Sequence, residues 1–245
     1  MSGWSATSVH SSVGVVILVL LHAFPLDSRM WDGVRDPLAK RLRLVTPDLG
    51  DGPPDLDDAA EQILAVLGDE PFVLGGCSMG GYLAMAILRR APSRVAGLLF
   101  VDTKSAADTG TARENRLAVA ARAEAEGVTG WLADAMLLNL VSSAARPEVL
   151  ARLRSLIDSQ AGSVVARAQR AMAARPDSTS LLASVTVPTL VVRGAEDALM
   201  APGAVEVPGA RVVELAGCGH LPPVEDPDAF AAVVLDWLAD QGFAD

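Results

Sequence analysis

The chain has 245 residues, 51% of them hydrophobic and 20% charged, with a formal net charge of −10. That apolar content excludes a disordered chain, and the length suits one α/β domain or a core carrying an inserted lid. The acidic balance, with no Lys/Arg cluster against it, excludes nucleic acid as an expected partner.

The Ser-rich first ten residues are expected to fray. Val13 to Leu21 is apolar, yet no Lys or Arg precedes it and no small-residue cleavage site follows before Asp27 and Arg29. It is also too short to span a bilayer, so it reads as a buried parallel strand over 15–21 rather than a signal peptide or anchor. Further strands are expected at 43–47, 72–76 and 96–101, alternating with helices near 33–41, 56–67 and 80–90.

Residues 104–184 break this alternation and carry no strand pattern. Helices are expected at 111–126, 128–141, 147–159 and 163–174, the first ended by Gly127. Trp131, Met136, Leu137, Leu138 and Leu140 are candidates to line a pocket, with ordinary packing as the plainer explanation. Strands resume at 188–193 and 211–215, and a last helix covers 226–240. Asp226 is its cap, Pro227 opens its first turn, and Phe230, Val233, Val234, Trp237 and Leu238 form one apolar stripe. The pattern predicts a mostly parallel central sheet with helices on both faces. Residues 1–103 and 185–245 would make its core, and 104–184 an inserted helical lid.

The most informative segment is Gly76-Cys77-Ser78-Met79-Gly80. The pentapeptide alone is weak, since random order gives such a match with roughly one chance in eight, but here it joins an expected strand directly to an expected helix. That turn forces the serine into a strained conformation at the carboxyl end of the sheet, where its hydroxyl stands clear. A plain glycine-rich turn without chemistry is the alternative.

A serine hydroxyl needs a base to take its proton, and histidine suits neutral pH. His10 lies in the N-terminal stretch and His22 closes the first strand. His220 sits in Gly217-Cys218-Gly219-His220-Leu221-Pro222-Pro223, a loop at the same sheet edge as Ser78, and is the expected base. The carboxylate that orients it is Asp197, which follows a strand end and keeps the order Ser…Asp…His. Asp102, also at a strand's carboxyl end, is the rival acid, and Glu196 is expected to point away. An oxyanion hole needs two backbone N–H groups, assigned to Met79 and to Phe24 in the loop after the first strand. His22 is expected to brace that loop. Cys77 and Cys218 supply no disulfide framework, read as small buried fillers, and point to a reducing cytoplasm.

His22-Ala23-Phe24-Pro25-Leu26-Asp27 with Met30-Trp31, Gly76-Cys77-Ser78-Met79-Gly80-Gly81, Val187-Pro188-Thr189-Leu190 with Gly194 and Asp197, and Gly219-His220 together resemble the α/β-hydrolase superfamily. The nearest branch is that of 3-oxoadipate enol-lactonase-like esterases and lactonases, which includes cofactor-free haloperoxidase-like members. Two departures stand out: His22-Ala23 replaces the usual His-Gly, and Asp48-Leu49-Gly50-Asp51-Gly52-Pro53-Pro54 lacks the arginine common after the second strand. The resemblance implies a serine hydrolase for a small ester or lactone that works through an acyl-serine, without metal or cofactor. A serine at the elbow also sets it apart from dehalogenases and epoxide hydrolases, which carry an aspartate there. Perhydrolysis, C–C bond hydrolysis or acyl transfer on the same triad is one alternative, and a non-catalytic ligand-binding protein of this fold is another. Lid arginines such as Arg113, Arg116, Arg122 and Arg152 are the residues that would admit an anionic substrate.

Overall fold

The structure, a computed structural model, describes residues 16–49 and 55–244. The expected fraying of the first ten residues, the placement of His10, the first residue of the 15–21 strand, and most of the departure after the second strand lie outside the described residues.

Within them, six parallel strands form one sheet. They are β1 (Ile17–Leu21), β2 (Arg43–Val45), β3 (Phe72–Cys77), β4 (Val95–Val101), β5 (Thr189–Gly194) and β6 (Arg211–Leu215), in the order β2-β1-β3-β4-β5-β6. The helices are α1 (Asp32–Ala39), α2 (Leu56–Leu67), α3 (Met79–Arg90), α4 (Gly110–Glu126), α5 (Trp131–Leu140), α6 (Pro147–Asp158), α7 (Gly162–Ala174), α8 (Thr179–Ala183), α9 (Pro222–Glu225) and α10 (Pro227–Asp240).

Successive strand side chains point to opposite faces, and here both faces are covered. Leu18, Leu20, Val73, Leu99, Val101 and Val192 enter one core with Trp31, Leu38, Phe230 and Trp237 of the α1/α10 side. Ile17, Val19, Leu21, Leu74, Leu98 and Phe100 enter the other with Ile63, Leu83 and Ile87 of α2 and α3. Two buried faces explain why these strands read as unbroken apolar runs. Each fully buried Leu, Ile or Phe contributes about 1.5–3 kcal/mol, so both layers are firmly held. The expected start of α10 is realised: the Asp226 carboxylate accepts the Ala229 N–H at 3.0 Å, and Pro227 occupies the first turn.

Between β4 and β5 the described residues form only helices. Two details differ from the sequence pattern. α5 starts at Trp131 rather than at 128, because Gly130 takes a φ of 81° and ends the preceding turn there. α8, five residues long, is too short to carry a readable period.

After β1 the chain moves outward to β2, then returns to lay β3 on the other side of β1. This reversal opens a crevice beyond the carboxyl ends of β1 and β3, where open α/β sheets bind ligands.

Candidate active site

Ser78 stands between β3 and α3 with φ 52° and ψ −111°. A non-glycine residue in that region costs about 1–3 kcal/mol and persists only where its surroundings fix it. Four hydrogen bonds do so: Ser78 N–H donates to the Val101 carbonyl at 2.9 Å, and the Ser78 carbonyl accepts Gly81 N–H at 2.9 Å, Tyr82 N–H at 3.4 Å and Thr103 Oγ1–H at 2.8 Å. The flanking glycines are obligatory. A Cβ on Gly76 would collide with the backbone of Gly80, and one on Gly80 with the carbonyl of Leu21. The turn is thus wedged between β1 and α3, and its strain is set by backbone contacts with the Thr103 hydroxyl added.

Phe24 and Met79 line one cavity beside this turn. Neither backbone N–H has a hydrogen-bond acceptor among the described residues. Two free amides, one from the loop after β1 and one from the first turn of α3, can therefore converge on a developing negative charge. His22 holds the first loop in place. Its Nδ1–H donates to the Ala23 carbonyl at 3.1 Å and its Nε2 accepts Leu49 N–H at 3.1 Å, which joins the β1 loop to the segment after β2. Burial lowers its basicity, so it serves as a neutral brace.

His220 is buried in the loop between β6 and α9, and its Nδ1 lies 2.9 Å from Asp197 Oδ2. Asp197 Oδ1 accepts Leu199 N–H at 2.8 Å and Met200 N–H at 3.2 Å. Burial opposes ionisation of Asp197, but the hydrogen bond and charge of His220 outweigh it and hold the carboxyl below its usual range. Glu196 points away, as expected, and accepts Ser143 N–H at 3.1 Å. Asp102 does not reach His220 but accepts Gly194 N–H, 3.1 Å from each of its oxygens. Among the described residues the Ser78 hydroxyl and His220 form no hydrogen bond within 3.5 Å. They are linked through the neighbouring residue, where Cys77 Sγ approaches the His220 carbonyl at 3.8 Å. Burial raises both thiols, Cys77 far up and Cys218 to about 12, so both stay protonated fillers.

Sequence reasoning missed two features of the site. Glu225 anchors the histidine loop: Oε1 accepts Gly219 N–H at 2.8 Å, and Oε2 accepts Ser142 N–H at 2.7 Å from the helical segment. The only sequence signal was a carboxylate just after Pro222-Pro223. The cavity beside Phe24 and Met79, about 70 Å³, is walled not by α5 but by α7 through Val164, Val165, Ala168 and Ala171. Leu132, Leu137 and Leu140 of α5 are core residues, and Leu138 faces outward. Of the arginines of the helical segment, Arg116 pairs with Asp108, Arg122 with Glu126 and Arg152 with Asp32.

A family model described as "Alpha/beta hydrolase family" matches residues 18–233. The chain belongs to that family. A pimeloyl-[acyl-carrier protein] methyl ester esterase from Aromatoleum aromaticum is 30% identical, over 89% of this chain and 96% of the relative. Among solved structures, a thermophilic esterase from Thermogutta terrifontis superposes with a TM-score of 0.86 at 35% identity, covering 92% of this chain and 90% of that one. The enol-lactonase of Burkholderia xenovorans gives 0.81 at 26% identity, covering 92% of each. Within this hydrolase, no described helix is long and apolar enough to cross a membrane, and no described cluster of His, Cys, Asp or Glu could hold a metal.

Proposed function

We propose that the chain is a serine hydrolase of small carboxylic esters or lactones in which Ser78 attacks the carbonyl, His220 is the base, and Asp197 orients His220. The amides of Phe24 and Met79 receive the oxyanion. The observation that supports this most strongly is the 2.9 Å bond from His220 Nδ1 to Asp197, at the same sheet edge as the strained Ser78 turn.

With Nδ1–H donated to Asp197, the neutral imidazole presents a bare Nε2. Nε2 takes the Ser78 proton as Oγ bonds to the substrate carbonyl carbon, and the carbonyl electron pair moves onto oxygen. The resulting oxyanion lies between the two free amides. Collapse expels the alcohol, which takes the proton from His220, and leaves an acyl-Ser78. Water, deprotonated by His220, then releases the acid and restores the serine. Ser78 and His220 must close to hydrogen-bond distance for the first transfer, as catalytic groups of unliganded sites commonly do on binding substrate.

The ester-hydrolysing relatives support the reaction class. The apolar wall of α7 fits a small aliphatic group, and residues 104–184 act as the lid that carries it. Free buried Cys77 and Cys218 fit a cytoplasmic enzyme. A panel of p-nitrophenyl esters and lactones of graded chain length, with a carrier-borne methyl ester included, tests the reading. Turnover of short esters that disappears in Ser78→Ala is expected, and turnover that persists in that variant contradicts it.

A further inference from the structure

Arg116, Arg122 and Arg152 are committed to carboxylates, but two other cations, Lys104 and Arg175, line a second cavity of about 170 Å³. Leu56 of α2 and Ala171 of α7 line both this cavity and the one beside Phe24 and Met79, so the two abut. The first is walled mainly by apolar side chains; the second adds Tyr82 and Arg89 of α3, Lys104, Ser105 and Arg175. Tyr82 lies one turn of α3 beyond Ser78, about 6 Å along the helix axis.

Two buried donors at this cavity lack an acceptor. Tyr82 is 4% exposed and Arg175 8%, and neither the Tyr82 hydroxyl nor Arg175 Nε has a hydrogen-bond partner among the described residues. Native structures leave few buried donors unmatched, because each one loses its hydration without return. The other polar groups of the wall are engaged with one another or with neighbours. Ser105 Oγ lies 3.1 Å from Thr179 Oγ1, Ser178 Oγ accepts from Arg89 at 3.3 Å, and Asp55 accepts Asp58 N–H at 2.8 Å. The Arg175 guanidinium lies over the Tyr82 ring, 4.1 Å from its centroid, so the two donors are held as one unit. Burial raises the Tyr82 phenol, which keeps it a donor.

The charge has the same sense. Asp108, with a side chain 1% exposed, is one carboxylate facing Arg116 at 2.5 Å, Arg175 at 2.7 Å and Lys104 at 3.2 Å. Burial opposes its ionisation, but the hydrogen bonds from Arg175 and Arg116 outweigh it and hold the carboxyl well below the usual range. Fully charged, Asp108 still offsets only one of the three cations. Asp57, also in the wall, is shared by Arg89 at 3.7 Å and Arg90 at 3.9 Å. Resting on the reading of Ser78 as the nucleophile, we propose that this cavity is the far end of the acyl site and takes a carboxylate. The preferred substrates are then esters whose acyl chain ends in an acid group. The aliphatic part of the chain occupies the apolar cavity, and its carboxylate accepts Tyr82 O–H and Arg175 Nε–H beside Lys104. A neutral acyl end would leave both donors bare.

The test compares kcat/KM for monomethyl adipate with that for methyl hexanoate, an ester of the same chain length without the acid, by pH-stat titration near neutral pH. Wild type should favour the acid-ended ester by about 10- to 100-fold, the scale of a hydrogen bond to a charged group. Tyr82→Phe removes only the hydroxyl and should cut that ratio by about 10-fold. A wild-type ratio near one, or a preference that Tyr82→Phe leaves intact, overturns the proposal. If Tyr82→Phe does not fold, Lys104→Gln decides on the same ratio, with the same fall expected. Free adipate separates a substrate tail from an independent carboxylate ligand: competitive inhibition of p-nitrophenyl acetate hydrolysis is expected, and noncompetitive inhibition or activation overturns the assignment to the acyl site. Ser78→Ala keeps the two claims apart. Hydrolysis of either methyl ester by that variant defeats the hydrolase reading, whereas Ser78-dependent hydrolysis without preference defeats the carboxylate site alone.

Discussion

The turn that carries Ser78 and the helical segment α4–α7 are held by different means. At the turn, contacts run from backbone to backbone: Gly76 against Gly80, Gly80 against Leu21, Ser78 N–H to Val101. In the helical segment the ties to the core run through side chains. Gln160 Nε2 reaches Asp27 at 2.8 Å, Arg29 reaches Ser159 Oγ at 2.8 Å, and Arg152 reaches the Arg29 carbonyl at 2.8 Å. A backbone wedge leaves no freedom at the reacting atom. The helical segment also packs apolar residues such as Leu153, Ile157 and Val165 into the same core as the sheet, but its polar ties at the rim are individually weak and can be exchanged. On the proposed reading, the difference assigns the reaction to the sheet edge and the choice of substrate to the helical wall.

That contrast can be broken at either end. The largest effect is expected at the reacting groups: Ser78→Ala or Asp197→Asn should each lower kcat by about 10⁴-fold or more with little loss of stability, read by ester kinetics and thermal melts. Gly80→Ala should next cost several kcat decades and about 3 kcal/mol or more of stability, because the Leu21 carbonyl must move; urea denaturation measures it. A near-neutral Gly80→Ala would show the wedge to be soft.

A pH-dependent effect separates wild type from Asp102→Asn in stability. The folded chain keeps the Asp102 proton up to about pH 9, whereas the unfolded chain releases it near pH 4. Between those values the folded state binds more protons, so this group's contribution to stability is full below about pH 4 and is lost as pH rises toward 9, on the order of 1 kcal/mol per pH unit. Urea midpoints should therefore drift apart in favour of Asp102→Asn as pH rises, and parallel curves would show that Asp102 is already ionised. The smallest effect belongs to α7. Ala168→Leu should cut kcat/KM for longer acyl esters by about 10-fold relative to acetate, on the scale of one or two displaced methylenes. Equal loss on all chain lengths would move the acyl site elsewhere.

The elements of the sheet could be read from the chain because each strand is buried on both faces, so Ile17–Leu21 and Val95–Val101 show as runs without polar interruption. The Ser78 turn was legible for the same reason that it is rigid: glycine is the only residue that fits beside it. His220 followed from elimination among three histidines. The acid was ambiguous because Asp102 and Asp197 both follow strand ends at one edge, and only side-chain placement shows which reaches Nδ1. The cavity wall was not legible. Val164 and Ala168 are unremarkable in sequence, whereas the bulkier apolar residues of α5 are mostly spent on packing, with Leu138 left facing outward. Glu225 works by accepting amides three-dimensionally close to His220, which no spacing rule reveals.

The central claim is that Ser78 becomes covalently acylated with His220 as its base. Peptide mapping by mass spectrometry after reaction with a fluorophosphonate tests it directly. The account predicts one adduct, on the peptide holding Ser78, formed far more slowly in His220→Ala and absent in Ser78→Ala. An unmodified Ser78 in folded protein, or an adduct formed at the same rate without His220, would contradict it.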